Sequence, residues 1–124
     1  MTDEKITVLT DVVLITCVVS AGRGDAVILA AREMGAAGAL VSHARGIGLR
    51  ERLGLLGIAI EADKDVVSLL VASDHQDVVF EAVCQAADLG RPGAGLAYIS
   101  PIERLATFIP REVLERLADQ GKAT

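Results

Sequence analysis

The sequence is short of rings. It has no tryptophan, and Phe80, Tyr98 and Phe108 supply its whole 2% aromatic content. Proteins that bind single-stranded nucleic acid stack bases on exposed aromatic side chains, and this chain has almost none to offer. It is also short of positive charge. Twelve lysines and arginines against 17 acids leave a formal net charge of −5, which disfavours binding to a phosphate backbone. No nucleic-acid partner is expected. The two cysteines, Cys17 and Cys84, stand far apart in apolar patterns without a Cys-x-x-Cys spacing. They read as buried thiols, not as a disulfide framework or part of a zinc site. His43 and His75 are not spaced as a metal pair, so no metal is expected. Apolar runs fall well short of the roughly 18 residues that a spanning helix needs, which excludes direct membrane insertion through a helix. Met1 to Lys5 is polar and acidic, unlike a signal peptide, and the cytoplasm is the expected location. No nucleophile, base and orienting group stand out together, so no catalytic residue is assigned and the chain reads as a non-enzyme.

What the chain does have is small aliphatic bulk. Its 124 residues form one domain, 52% hydrophobic, with a mean hydropathy of +0.46. The core must therefore be built from valine, leucine, isoleucine and alanine. So much apolar surface exceeds what two small helices can cover, and this points to an oligomer.

The run from Asp11 to Ser20 is β-branched and apolar on both alternating faces, which predicts a strand buried on both sides. A turn at Gly22 to Asp25 follows, with Asp25 as the expected helix N-cap. Val27, Ala30, Ala31 and Met34 then recur at the spacing of one helix face, and Gly35 is the stop. Gly38 to Ala44 reads as a second strand. Residues 45–57, rich in glycine and arginine, read as a long mobile loop, followed by the acidic residues Glu61, Asp63 and Asp65 with Lys64 as a solvated turn. Asp65 to Ala72 reads as a third strand. Ser73 and Asp74 are expected to cap a second helix, in which Val79, Ala82, Val83 and Ala86 repeat the helical spacing. A glycine-rich turn at residues 90–95 precedes a fourth strand, Leu96 to Ser100. Residues 110–121 read as a short helix opened by Pro110, and residues 1–10 as an N-terminal extension.

Asp25-Ala-Val-Ile-Leu-Ala-Ala31 is echoed by Asp77-Val-Val-Phe-Glu-Ala-Val83. Two strand–helix–strand units give the α+β, ferredoxin-like βαββαβ sandwich. Its helices cover one face of the sheet. The first strand is apolar on both faces, with Val12, Leu14 and Val18 on one side and Val13, Ile15, Cys17 and Val19 on the other. The second face therefore needs a partner, and another copy of the chain is the expected one.

Three stretches carry a likeness to a known family. They are Leu14-Ile-Thr-Cys-Val-Val19 followed by Asp25-Ala-Val27, Ala44-Arg-Gly-Ile-Gly48 at the start of the long loop, and Leu89-Gly-Arg-Pro-Gly-Ala-Gly-Leu96 before the last strand. Their order and spacing, over residues 12–109, resemble the PII nitrogen-regulatory signal-transduction family, with residues 45–57 in place of its T-loop and residues 89–96 in place of its B-loop. The resemblance implies a homotrimer that binds an adenine nucleotide (ADP, AMP or ATP) in clefts between subunits. It implies regulation of a partner protein, a membrane transporter or an enzyme, through the loop. The implied ligand residues are Arg45, Gly46, Ile47 and Gly48 at the loop base and Arg91, Gly93, Ala94 and Gly95 in the turn. Glycines let backbone N–H groups approach phosphates, and an arginine adds a charged fork of donors. Arg50 and Arg52 make the loop basic on an acidic chain, which suits docking to an acidic partner surface.

The chain also departs from the family. Leu96 and Leu49 stand where the family has basic residues, and its arginine pair after the fourth strand falls on Ala106 and Phe108. Residues 45–57 contain no Tyr, Ser or Thr, so the family's modified tyrosine is absent. The alternative is another ferredoxin-like oligomer that binds no nucleotide, such as an amino-acid sensor of the ACT type.

Overall fold

The structure is a computed structural model and describes residues 6–46 and 62–116. Its elements are β1 (Thr7–Leu9), β2 (Val12–Ser20), α1 (Gly24–Glu33), β3 (Gly38–Gly46), β4 (Ala62–Ala72), a 3-10 turn (Ser73–His75), α2 (Gln76–Ala86), β5 (Gly95–Ile102) and β6 (Leu105–Thr107). Residues 111–116 are helical, opened by N–H groups of Val113 and Leu114 that donate to the Pro110 carbonyl. The expected continuation to residue 121 lies outside the described residues.

β3, β4, β2 and β5 form one antiparallel sheet in that order. Each of the two helices links an edge strand to a central one, which is the ferredoxin-like arrangement the two echoing halves imply. The β-branched run of β2 occupies the interior, hydrogen-bonded on both sides. Directly paired residues share a face. Val13, Ile15, Cys17 and Val19 of β2 and Val67, Leu69 and Val71 of β4 therefore point one way. They pack against Val27 and Ala31 of α1 and Val79 and Val83 of α2, all buried. This is an aliphatic core, with Phe80 only packed against its edge.

Neither α1 nor α2 lies on the other face, and among the described residues only Leu114 of the helical residues 111–116 comes near its end. Leu40, Ser68, Thr16 and Tyr98 make one row across it by register. Leu40 is 76% and Tyr98 50% exposed at the two edges, whereas Thr16 in the middle is buried. Val18, Val66 and Leu96 form the next row.

Four expectations are corrected. β3 runs on to Gly46, so Arg45 and Gly46 belong to a strand and not to a loop. Asp63 to Asp65 are not a solvated turn but part of β4, which begins at Ala62, with Lys64 and Asp65 buried and Asp63 exposed, while Glu61 lies outside the described residues. Asp25 does not cap α1, which starts one residue earlier behind Arg23 with no side-chain cap, and the second helix likewise starts without one, after a 3-10 turn. Part of the N-terminal extension is a strand: β1 pairs with β6 in a two-stranded ribbon. Strands of three residues are too short to show an alternating pattern.

Candidate functional site

The ends of four strands meet at one end of the sheet. Register sets Arg45 opposite Asp63, Ala44 opposite Lys64 and His43 opposite Asp65, while Val19 pairs with both Asp65 and Gly95. Ala21, His43, Ala44, Arg45, Asp63 and Lys64 line a cleft of ≈ 390 Å³ there.

The glycine-rich turn reaches the same place. Gly93 has φ +76° and Gly95 φ +144°, backbone conformations that L side chains rarely adopt. A Cβ on Gly95 would lie 1.9 Å from the Val18 carbonyl oxygen, so no side chain fits. The turn holds itself by N–H bonds from Arg91 to the Asp88 carbonyl and from Ala94 to the Arg91 carbonyl. Ala94 is buried. The Arg91 guanidinium lies 3.1 Å from the Asp88 carboxylate, with both side chains more than half exposed. Arg45 pairs in the same way with Asp63 at 3.3 Å, again in solvent. Exposed pairs of this kind are worth ~0–1 kcal/mol, so either arginine can turn to a stronger anion at little cost.

Lys64 joins the paired ends of β3 and β4 to the turn. It is 5% exposed, and its Nζ donates to the Gly93 carbonyl at 3.3 Å. Among the described residues it has no ion-pair partner. Among the described residues this buried ammonium has one carbonyl acceptor, which under-compensates it, and that acceptor belongs to the turn that carries Arg91. Sequence reading missed it, because a lysine flanked by two aspartates reads as surface. The available signal was its place two residues before the run Val66 to Ala72, apolar but for Ser68.

Asp65 organises the other side of the cleft. Its Oδ2 accepts the N–H groups of Gly22 at 2.9 Å and Gly24 at 3.0 Å, and its Oδ1 faces His43 Nδ1 at 2.7 Å. A residue of β4 thus supplies the acceptor that the start of α1 lacks locally. The Gly24 N–H holds the carboxyl below its usual range against the opposing effect of burial, helped by the Gly22 N–H and His43. A Cβ on Gly24 would lie 2.9 Å from Asp65 Oδ2, so glycine is needed for this approach. Ile47, Gly48, Arg50 and Arg52 lie outside the described residues. Among the described residues, no group of three or more His, Cys, Asp or Glu is placed to hold a metal ion, and no helix is long and apolar enough to cross a membrane.

No family model and no curated protein matches this chain. Among solved structures it is similar to the crystal structure of Arabidopsis thaliana PII bound to citrate, with 21% identity and a TM-score of 0.59 over 76% of this chain and 79% of that one. At this identity the likeness bears on the fold. The fold is that of PII proteins, and the chain is a divergent example of it, as its spaced glycine motifs suggest.

Proposed function

We propose that this protein is a PII-like signal-transduction regulator and not an enzyme. It works as a cytoplasmic homotrimer, takes an adenine nucleotide in clefts between copies, and acts on a partner protein through residues 45–57. The observation that carries the reading is the Lys64–Gly93 contact. It joins the loop base, with Arg45, to the glycine turn, with Arg91, beside a sheet face that lacks cover. Arg45 and Lys64 line the cleft and Arg91 stands on the turn that Lys64 touches, and cations so placed suit the phosphates of ADP, AMP or ATP. An uncovered apolar face next to it suits a second copy, whose arrival would close the cleft. Ligand bound at such a place sits where residues 47–61 join β3 to β4, so its occupancy can act on them. The partner is a transporter or an enzyme with an acidic docking surface for Arg50 and Arg52.

The test joins sedimentation to thermal shift. The protein should sediment as a trimer at micromolar concentration, and ADP, AMP or ATP should raise its melting temperature by mass action. Citrate, which the Arabidopsis protein holds, and free amino acids belong in the same screen. A monomer unmoved by any nucleotide would refute the reading, and a response to amino acids alone would favour an ACT-type sensor.

A further inference from the structure

The His43–Asp65 pair is lopsided: the histidine side chain is 82% exposed and the aspartate side chain 5%. Asp65 gives Oδ2 to the two backbone N–H groups and leaves Oδ1 to the ring. A carboxylate only accepts hydrogen bonds, and the N–H groups at the start of α1 keep this one ionised. The proton of a neutral ring therefore sits on Nδ1, and Nε2 is left as a bare acceptor. A carboxylate behind an imidazole fixes both its tautomer and its direction, as it does for metal-binding histidines. Here the fixed ring is on the wall of the cleft, with Arg45 and Lys64.

We propose that His43 determines specificity in this cleft by accepting, through Nε2, a hydrogen bond from an N–H or O–H group of a ligand whose anionic part lies on the neighbouring cations. The inference rests on the ligand-binding reading above and sharpens its chemistry. A bare anion has no use for His43. A molecule that carries donors beside its anionic end, as the sugar and base of a nucleotide do, uses both.

The experiment uses the full chain at pH 8. The ¹⁵N shifts of the His43 ring are recorded in the free protein, with ADP, and with inorganic pyrophosphate. Both probes are also titrated calorimetrically into wild type, His43→Gln and His43→Phe. The expected result is a ring protonated at Nδ1 and an Nε2 resonance that moves with ADP. His43→Phe should weaken ADP binding about tenfold, the value of one hydrogen bond, and leave pyrophosphate unchanged. His43→Gln, which offers a carbonyl oxygen, should recover part of the loss. If Nε2 carries the proton in the free protein, or if ADP binds the phenylalanine variant as well as wild type with Nε2 unmoved, the inference is overturned and the nucleotide reading stands. If ADP does not bind wild type, both fall. If His43→Phe fails to fold, the wild-type ring shifts decide alone.

Discussion

Asp65 is the residue whose removal should cost most for its size. Asp65→Ala deletes the acceptor of two N–H groups at the start of α1, at 2.9 and 3.0 Å, and the partner of His43. Losing a helix cap costs ~0.5–2 kcal/mol, and each buried donor left unpaired costs ~1–3 kcal/mol. The Gly24 N–H is buried and the Gly22 N–H is partly so, which places the total at about 3–4 kcal/mol. In a domain of this size 1 kcal/mol moves Tm by roughly 3–6 °C, so the variant should melt about 10–25 °C below wild type. Asp65→Asn can keep its carbonyl oxygen on both N–H groups but loses the charge and turns its amide N–H₂ toward His43 Nδ1, and should lose about half as much. The pH dependence follows from the lowered pKa of Asp65. Its contribution is complete above the unfolded aspartate value of about 4 and is lost as pH falls from there through the lower folded value. Chemical denaturation from pH 7 down to pH 2 should show this acid limb in wild type, and Asp65→Asn should be flatter over the same interval. A loss below ~1 kcal/mol for Asp65→Ala, or an equal acid limb in the asparagine variant, would refute the reasoning.

Gly95→Ala puts a Cβ onto the Val18 carbonyl oxygen and should cost more than ~3 kcal/mol by chemical denaturation, against ~1 kcal/mol for Gly93→Ala, which meets no atom within 4 Å but has a positive φ. Charging the uncovered sheet face with Leu40→Glu and Tyr98→Glu together should lower the sedimenting mass to that of a monomer, with little change in far-UV circular dichroism. The Cys17 thiol is pushed up to about 12 by burial and the nearby Cys84. It should resist alkylation by iodoacetamide at pH 8 until denaturant is added, as peptide mass spectrometry would show.

The parts of the fold that were readable in the sequence are those whose stability is local or one-sided. β2 declares itself because it is a central strand, buried on one face and half-buried on the other, and is apolar except at Thr16 and Ser20. Val27 with Ala31, and Val79 with Val83, declare the helices because each pair meets the same sheet. The misread parts are held by distant partners. Lys64 and Asp65 look like surface residues until β4 is placed between β2 and β3, where the Gly93 carbonyl and the start of α1 reach them. Arg45 and Gly46 look like loop until the strand opposite is extended back to Ala62. For the site, the glycine motifs and their arginines were visible as a spaced pattern. The buried lysine and the oriented histidine were not, because their roles come from neighbours far away in the chain.

The missing side chain at Gly95 also fixes where Tyr98 can point. The Val18 carbonyl leaves room for a residue without Cβ, and the neighbours on either side are Ala94 and Leu96. Sliding β5 by one position along β2 would drive one of their Cβ atoms into that oxygen. Such a slip would otherwise turn every side chain of the strand over, taking Ala97 and Ile99 away from the core and hiding Tyr98 among the helices. The glycine works as a steric key. It admits one alignment of the last strand, and with it one pattern of residues on the face offered to other molecules.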